Sequence, residues 1–297
     1  MSYIEAINRA LDFIEENLKS PIQVEHIAAS ARYSKFHFQR LFSIVTGETV
    51  GAYLRRRRLT EASRQLVESD RSILDIALDY QFNSQESFSR SFKDFFGETP
   101  NHHRKQNTPF SQAIKKIQKT AIVSSDIDRV SRQPEFMTRA VTPLIGLSYF
   151  GNNQDEIIDM WRKLEQKQMV IKNFIDPTEQ FGLIYYDDNF FQSGEFSYMA
   201  AFLLKESSAI DIESIPIDFS IRVLPACEYA VFSHHGPAAQ IPVSYEYIYG
   251  SWIPDSGKSP VAPYDFEFYN AKYNTGDPSH LELKIYIPVK HTEPLQK

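Results

Sequence analysis

The sequence has a single cysteine, Cys227, among its 297 residues. This excludes an internal disulfide framework and a zinc site built from several cysteines, and we expect Cys227 to be a small buried residue rather than a nucleophile. No stretch supplies the roughly 18 uninterrupted apolar residues that a membrane-spanning helix needs. The first residues mix acids into their apolar run, which does not fit a secretory signal. We therefore expect a cytoplasmic protein with no membrane partner.

The sequence also lacks three common catalytic or phosphate-binding motifs. G-x-x-x-x-G-K-[ST], H-E-x-x-H and G-x-S-x-G do not occur, so no phosphate loop, zinc-protease helix or serine nucleophile elbow is predicted. His234 and His235 are adjacent on a predicted strand, where successive side chains point to opposite faces and do not form a chelate. His102 and His103 are expected at the surface. We expect no metal, no cofactor and no enzymatic activity.

Charge divides the chain into two halves. The composition, with 42% hydrophobic and 24% charged residues, is that of a globular protein, and about 150 residues per domain predicts two domains. Residues 1–134 carry 20 Lys and Arg against 16 Asp and Glu, a balance of +4, whereas residues 135–297 carry 12 against 22, a balance of −10; together they give the net −6. A basic first half and an acidic second half predict domains with different partners.

The first half contains a repeated helical pattern. An amphipathic helix is predicted first, and short helices follow at residues 24–30 and 34–45. The pattern S-x3-F-x-R-x-F-x4-G-E-T begins at Ser34 and again, fifty positions later, at Ser84. Each serine is expected to cap a helix, and Gly47 and its repeat Gly97 are expected to end it. The repeated unit is therefore a helix-turn-helix.

The second helix of each unit is expected to keep polar side chains on its open side. The phenylalanines four positions apart face inward, and the remaining positions carry side chains of the kinds that read base edges or hold phosphates: Lys35, His37, Gln39, Arg40, Gln85, Ser87, Ser89 and Arg90. A predicted helix of about 28 Å at residues 50–68 joins the units. This is near the ~34 Å spacing of major-groove turns, so one chain could bind double-stranded DNA at two neighbouring turns. The four arginines at 55–58 either contact phosphates or form a solvated, salt-bridged surface.

Residues 4–106 resemble the bipartite DNA-binding domain of the AraC/XylS transcriptional regulators. The resemblance rests on both helix pairs and on the ending F-x-x-x-F-G-x-T-P from Phe92 to Pro100. It implies that the open sides of the two helices contact DNA, and the predicted DNA-binding residues are Lys35, Phe36, Gln39, Arg40, Gln85, Glu86, Ser89 and Arg90. Gln81 stands where the family usually has glycine, and His103 where it usually has an aromatic residue. Because of Gln81, the second helix either reads bases or only braces the backbone.

The second half has a different pattern. Residues 107–134 are polar and are predicted to be a linker, with a helix around 111–120. Six segments rich in Ile, Val, Tyr and Phe are predicted strands: 144–150, 181–186, 197–204, 219–233, 264–269 and 281–289. Residues 155–168 and 241–252 are predicted helices. The predicted fold is an all-α double helix-turn-helix domain at 1–106, then an α+β domain at 135–291, an antiparallel sheet with two helices in a duplicated β-α-β-β order.

The acidic half is rich in aromatic residues. Twelve of the 16 tyrosines and both tryptophans follow residue 134, and ring faces beside a carboxylate suit an organic cation. Most of residues 136–290 resembles the GyrI-like small-molecule-binding domain, through the segments LPACEYAVFSHHGP, WIPDSG, PYDFEFYN and LELKIYIPV. The resemblance implies that Glu267 lies in the ligand cleft, although a strand glutamate taken alone is more often solvated. Further candidate ligand-binding residues are Tyr149, Tyr186, Tyr229 and Trp252.

These observations favour a transcriptional regulator that binds DNA through its first domain and a hydrophobic or cationic small-molecule effector through its second. RNA polymerase is a further candidate partner of such a regulator. The resemblance leaves two alternatives open for the second domain. Either the second domain is a small-molecule hydrolase with Glu267 as general base, or it binds a protein through its aromatic residues.

Overall fold

The computed structural model describes residues 3–106, 130–151, 153–186, 190, 195–205, 215–270 and 281–291. The chain divides into two compact units, which hold the described residues up to 106 and those from 130 onward. The predicted helix at 111–120 and most of the predicted linker lie outside the described residues. The last residues of that linker segment pair with a strand of the second unit, because Val130 forms a β-bridge with His234 and the Ser131 N–H donates to the Ser233 carbonyl. Within the described ranges, no helix is both long and apolar enough to cross a membrane.

The first unit is built from helices, as predicted. The described residues form α1 (Tyr3–Glu16), α2 (Val24–Ser30), α3 (Lys35–Thr46), α4 (Val50–Glu68), α5 (Ile73–Asp79), α6 (Gln85–Phe96) and α7 (Pro100–Gln106). The pairs α2–α3 and α5–α6 are the two helix-turn-helix units, and the 19-residue α4 joins them. The predicted double helix-turn-helix architecture is confirmed.

Phenylalanine packing and helix caps explain the repeated sequence pattern. Phe38 and Phe42 are fully buried in α3, as are Phe88 and Phe92 in α6, so the inward phenylalanines are confirmed. Gly47 and Gly97 end these helices in the left-handed conformation, with φ values of 76° and 79°. The serines differ. The Ser84 hydroxyl accepts from the Ser87 N–H at 3.2 Å, whereas the Ser34 side chain makes no cap hydrogen bond, so only the second predicted serine cap is formed.

Gln81 adopts the left-handed conformation that its position requires. Its φ is 66°, and the N–H groups of Gln81 and Phe82 donate back to the carbonyls of Leu78 and Ala77 at the end of α5. The Gln81 Nε2 donates to the carbonyl of Lys19 at 2.6 Å. A glycine would lack this side-chain hydrogen bond, which offsets part of the cost of a left-handed non-glycine residue. The second turn therefore closes despite the departure from the family pattern.

The second unit is an antiparallel sheet with helices on one face. Its described elements are β1 (Glu135–Arg139), β2 (Thr142–Gly151), α8 (Gln154–Ile171), β3 (Ile175–Tyr185), β4 (Phe196–Leu204), β5 (Ser220–Leu224), β6 (Cys227–Gly236), α9 (Ile241–Tyr247), β7 (Lys258–Pro260), β8 (Tyr264–Asn270) and β9 (Leu281–His291). A π-helical turn, Ile248–Trp252, and a last helical turn, α10 (Ile253–Asp255), extend α9. The predicted α+β class is confirmed. The predicted strand at 219–233 is in fact two strands, separated at Pro225 and Ala226, where proline cannot donate to the ladder.

The strand order brings two similar halves together at the centre of the sheet. The order is β1-β6-β9-β8-β3-β4-β2-β5, with β7 paired to β9. Each half follows the predicted β-α-β-β order, first as β2-α8-β3-β4 and then as β6-α9-β8-β9. The halves meet where β3 pairs with β8, and there Gly182 lies opposite Glu267.

The two faces of the sheet carry different side chains. The helix face is covered by α8 and α9 and includes Tyr198, Asp265 and Glu267, as their contacts with residues of these helices show. The aromatic face carries a buried cluster on the opposite side, with Phe181, Tyr229, Tyr264, Phe266 and Tyr286 among its members. Strand alternation explains the division, because Asp265 and Glu267 point one way from β8 while Tyr264 and Phe266 point the other.

Candidate functional site

The four consecutive arginines of α4 have different environments. Arg57 is 3% exposed and forms two hydrogen bonds of 2.8 Å with Glu15, and it reaches Glu61 at 3.1 Å. The hydrogen bonds to Glu15 raise the pKa of Arg57 further above its ordinary value. Arg57 therefore has a structural role in the helical core, and a phosphate could reach it only if Glu15 were displaced.

Arg55 is the arginine of this run that remains available to an anion. Arg56 pairs with Glu48 at 2.9 Å, and Arg58 donates to the carbonyls of Leu18 and Ser20, just after α1, at 2.9 and 2.8 Å. Arg55 is exposed and has no ion pair among the described residues. It borders a cavity of about 480 Å³ that Arg58, Gln81 and Ser87 also line. The salt-bridged alternative thus holds for Arg56 and Arg57, Arg58 is tied to backbone carbonyls, and phosphate contact stays a prediction for Arg55.

The open side of α6 is accessible. Gln85, Glu86 and Arg90 are exposed and Ser89 is half-buried. A hydrogen bond with Ser84 lowers the pKa of Glu86 below its usual range, so this carboxylate is ionised at neutral pH. The second helix-turn-helix, which departs from the family pattern at Gln81, thus keeps its polar residues on a solvent-facing surface.

The corresponding side of α3 is more enclosed than the sequence suggests. The Lys35 ammonium pairs with Glu25 at 3.0 Å. His37 is 4% exposed, and its ring packs edge-on against Tyr33 with centroids 4.5 Å apart. Gln39 is 2% exposed, and neither of its amide atoms makes a hydrogen bond within the described residues. The expectation that His37 and Gln39 stay on an open surface is wrong. Phe36 and Arg40, the other two predicted residues of α3, are half-buried.

His103 is a packing residue and not a surface residue. It is 4% exposed, and its ring stacks on Phe96 with centroids 5.7 Å apart. Its Nδ1 lies 2.7 Å from Glu98, and hydrogen bonds from His102 and His103 lower the pKa of that carboxyl. The expected surface position is confirmed for His102 but wrong for His103, because the imidazole packs as a flat ring where the family usually has an aromatic residue.

Glu267 lies at the centre of a buried cluster on the helix face. Its carboxylate is 5% exposed and accepts hydrogen bonds at Oε2 from the hydroxyls of Tyr269, at 2.7 Å, and Tyr198, at 3.2 Å. The indole of Trp161, on α8, donates to the Tyr198 oxygen at 3.1 Å and packs edge-on against Tyr269. We call Trp161, Tyr198, Glu267 and Tyr269 the Glu267 cluster.

The tyrosines of the Glu267 cluster are neutral donors. Burial, followed by the negative charge of Glu267, raises the pKa of Tyr198 and of Tyr269 well above the ordinary value. Both hydroxyls therefore keep their protons at neutral pH. The hydrogen bonds from these two neutral phenols orient the Glu267 carboxylate.

Gly182 makes room for the Glu267 cluster. A Cβ added there would overlap the Tyr198 hydroxyl and would lie 2.9 Å from Glu267 Oε2. A side chain at this position in the middle of β3 would therefore displace the Tyr198 hydroxyl from its hydrogen bond.

A second buried carboxylate lies two residues before Glu267. Asp265 is fully buried and accepts hydrogen bonds from three phenols. The Tyr249 hydroxyl is 2.8 Å away, and those of Tyr186 and Tyr245 are each 3.1 Å away. Of the predicted ligand-binding residues, Tyr186 is thus placed at Asp265.

The structure distributes the other predicted ligand-binding residues over three places. Tyr149 is directly opposite Tyr198 in the pairing of β2 with β4, and its oxygen accepts from an N–H at the start of α8. Trp252 packs edge-on against Phe232, with centroids 5.0 Å apart. Tyr229 is 1% exposed on the aromatic face, on the side of the sheet away from Glu267. Only Tyr149 adjoins the Glu267 cluster.

The environments of the adjacent histidines His234 and His235 and of Cys227 bear on metal binding and on thiol reactivity. His234 is fully buried with its Nδ1 2.7 Å from the Ser244 hydroxyl, while His235 is exposed, so the two rings point apart as expected. Among the described residues, no three His, Cys, Asp or Glu side chains group as metal ligands. Cys227 is half-buried, and burial raises the pKa of its thiol, which disfavours the thiolate.

Sequence reasoning did not select several residues of these clusters. Tyr269 shares the face of Glu267 by simple alternation, so that signal was available in the sequence. Tyr198, Trp161, Tyr245 and Tyr249 come from other strands and helices. Their place depends on strand register and helix packing, for which the sequence pattern gives no signal.

Comparison with known proteins agrees with both units. Residues 132–290 match the model of the GyrI-like small molecule binding domain, and residues 27–106 match a helix-turn-helix domain. The transcriptional regulator Rob of Salmonella typhimurium is 28% identical over 294 residues, 96% of this chain and 98% of Rob. The multiple antibiotic resistance protein MarA of Escherichia coli is 42% identical over 101 residues, 34% of this chain and 80% of MarA. The structure of SAV2435 bound to tetraphenylphosphonium is 19% identical with a TM-score of 0.41, over 53% of this chain and 94% of that one.

The GyrI-like match covers more than half of the chain, and the helix-turn-helix match lies in the basic half with its two repeated units. The chain belongs to the AraC/XylS family of transcriptional regulators, with a helix-turn-helix DNA-binding unit followed by a GyrI-like small-molecule-binding domain.

Proposed function

We propose that this regulator responds to a hydrophobic organic cation, whose positive charge is recognised by Glu267. The observation that carries the proposal is that Glu267 is only 5% exposed in the centre of the sheet and that its carboxylate accepts hydrogen bonds from two phenols. An ionised carboxylate in apolar surroundings is costly unless a cation or strong donors compensate it. Aromatic rings beside it would add cation–π attraction to the charge pairing.

On the DNA side, we propose that α6 contacts DNA through Gln85, Glu86, Ser89 and Arg90, and α3 through Lys35, Phe36, Gln39 and Arg40. The exposed side of α6 supports the first set, because amide and guanidinium groups there are accessible to base edges and phosphates. Arg55 adds a phosphate contact between the two helices. For α3, the proposal requires Gln39 to become accessible when DNA binds.

We also propose the limits of the domains, the fate of the bound effector, the location of the protein and its partner on DNA. We take 1–106 as the DNA-binding domain, 107–134 as a linker and 135–291 as the effector domain. We propose that the effector is bound without turnover, that the protein acts in the cytoplasm and that RNA polymerase is its partner on DNA. Recovery of an intact effector after incubation, measured by mass spectrometry, tests binding without turnover; hydrolysis that Glu267→Gln abolishes would instead make the second domain an enzyme.

The decisive experiment is fluorescence-anisotropy titration of the full-length protein with DNA from upstream of its own gene, at two salt concentrations. Tight, salt-sensitive binding that Arg90→Ala weakens is expected. Arg64→Ala is the matched control, since Arg64 is an exposed arginine of α4 that pairs with Glu61 and Glu68. Weak binding that is indifferent to sequence would contradict the DNA assignment.

The effector assignment is tested in the same titration with two additives of equal shape. Benzyltrimethylammonium carries a positive charge, and its carbon isostere neopentylbenzene does not. A ligand shifts the DNA affinity only if it binds two states of the protein differently. We expect the cation to change the DNA affinity and the neutral isostere to leave it unchanged. Equal effects of both compounds would show that charge is not recognised.

A further inference from the structure

The aromatic face of the sheet surrounds a positive charge. The guanidinium carbon of Arg139 lies 5.3 Å from the ring centroid of Phe181, 5.4 Å from that of Tyr286, 5.6 Å from that of Phe268 and 5.9 Å from that of Phe266. Each distance falls within the ~6 Å over which a cation is attracted to a ring face. We call these four rings, which line one face of the sheet beside the guanidinium, the aromatic cage.

The cage is built by three strands and filled from a fourth. Phe181 comes from β3, Phe266 and Phe268 from β8, and Tyr286 from β9, whereas Arg139 is the last residue of β1. Phe181, Phe266 and Tyr286 are buried, and the Arg139 side chain is 18% exposed. The rings are therefore held in place by the core, and the cation enters from the rim.

A carboxylate stands at the rim of the cage. Glu179, on β3, lies 4.0 Å from Arg139 and has a side-chain exposure of 34%. Aromatic faces and one partly exposed carboxylate are the groups by which proteins recognise organic cations. The combination resembles the chemistry of the Glu267 cluster, but it lies on the other face of the sheet and uses none of the same side chains.

We propose that this cage is a second cation-binding site, which Arg139 occupies as a tethered ligand. When Arg139 withdraws, the cage accepts a small organic cation that carries a guanidinium or quaternary ammonium group. The proposal is independent of the function assigned to Glu267, because the two sites lie on opposite faces of the sheet and share no residue.

Withdrawal of Arg139 breaks its contacts with the four rings, and the edge position of β1 limits what else has to be disrupted. β1 is an edge strand of five residues that pairs with β6 alone among the described strands. Its neighbouring side chains Phe136 and Met137 are 51% and 39% exposed, so little burial holds the strand end in place. The ion pair with Glu179, at 4.0 Å, is long and partly exposed. Short edge strands with few buried contacts open locally at low cost.

The test is to remove the tethered cation from the full-length protein and supply a soluble one. Methylguanidinium binding is measured by calorimetry and by thermal shift for the wild type and for Arg139→Ala. The variant should bind methylguanidinium at least about tenfold more tightly than the wild type, since cation–π attraction to several desolvated rings is on that scale. The added cation should also restore part of any melting temperature that the variant has lost.

Four further variants keep the test specific. Arg139→Met retains the apolar part of the side chain. If Arg139→Ala folds poorly, Arg139→Met replaces it in the test and should show the same gain in methylguanidinium affinity. Arg222→Ala is the matched control, an exposed arginine on β5 at the opposite edge of the sheet, and should gain no binding. When added to Arg139→Ala, Phe268→Leu should abolish the gain in methylguanidinium affinity, whereas Glu267→Gln should leave that gain unchanged. No gain in either Arg139 variant, or a gain that Glu267→Gln removes, would overturn the proposal.

Discussion

Asp265 and Glu267 lie two residues apart on the same face of β8, and each holds a different helix. Asp265 accepts hydrogen bonds from Tyr245 in α9 and from Tyr249 in the π-helical turn that follows. Glu267 is linked to α8 through Tyr198, which receives the indole N–H of Trp161. One strand thus fixes both helices through two carboxylates. An effector bound at Glu267, as proposed, would therefore act on the attachment of α8.

The two carboxylates should respond differently to neutralisation. Glu267→Gln should weaken binding of benzyltrimethylammonium by about tenfold or more, because the buried charge partner is lost. Asp265→Asn should lower the free energy of unfolding by about 1–3 kcal/mol, because three phenols lose a charged acceptor and the new amide N–H₂ has to find acceptors. Calorimetry measures the first effect, and urea unfolding measures the second.

Tyr245→Phe is a control for the second effect, since it removes one of the three hydroxyls that donate to Asp265 and should cost less than Asp265→Asn. Unchanged cation affinity in Glu267→Gln would remove Glu267 from the effector site.

Gly182→Ala should damage the effector site more than the fold. The added methyl group overlaps the hydroxyl end of Tyr198, which is a side chain that can turn, rather than the backbone. Tyr198 must then leave Glu267, so cation affinity should fall by about tenfold. Trp161 reports the event by fluorescence once the other tryptophan is removed with Trp252→Phe. Tyr198→Phe is the matched variant and should reproduce the loss; an affinity unaffected by both changes would contradict a role for Tyr198.

Alternation and repetition made much of this fold predictable. The fifty-residue repeat predicted both helix-turn-helix units and their inward phenylalanines. Strand alternation also explains why Asp265, Glu267 and Tyr269 share a face of β8. Tyr229 and Tyr186 show the limit of such patterns. Both are tyrosines of the acidic half, yet one packs in the aromatic face and the other binds Asp265. Which face a tyrosine joins depends on the register between strands, which is a long-range property.

The arginine run illustrates the same limit. Four identical side chains in succession gave no basis for choosing among them. The partners of Arg57 and Arg58, Glu15 and the carbonyls of Leu18 and Ser20, are about 40 residues away, so helix packing decides which arginines are engaged.

Arg55→Ala should therefore be the substitution in this run that changes DNA binding electrostatically. Losing one phosphate contact should lower DNA affinity for all sequences alike and reduce the slope of log K against log salt by about 1. Arg56→Ala is the control, because Arg56 is engaged with Glu48 at 2.9 Å and lies over the Tyr53 ring at 4.8 Å. Anisotropy titrations across a salt series measure both slopes. Equal slopes for Arg55→Ala and the wild type would exclude the phosphate contact.

Asp79 should make the stability of the first unit depend on pH. Hydrogen bonds from Arg71, at 2.6 Å, and from Lys19, at 3.2 Å, lower the pKa of Asp79 from 3.8 to about 2. Because the folded pKa lies below the unfolded one, this stabilisation is complete above about pH 4 and is lost as the pH falls towards about 2. Its size should be below about 1 kcal/mol, since all three side chains are partly exposed.

Urea unfolding of the wild type and of Asp79→Asn, followed from neutral pH downward, measures this contribution directly. The gap between the two proteins should be largest at neutral pH and should close as the carboxyl takes up its proton, because the protonated acid and the amide are then both uncharged. In an Arg71→Gln background the gap should shrink at neutral pH as well, since the main partner is gone. A gap that stays constant from neutral to acid pH would mean that Asp79 stabilises the protein by packing and not by its charge.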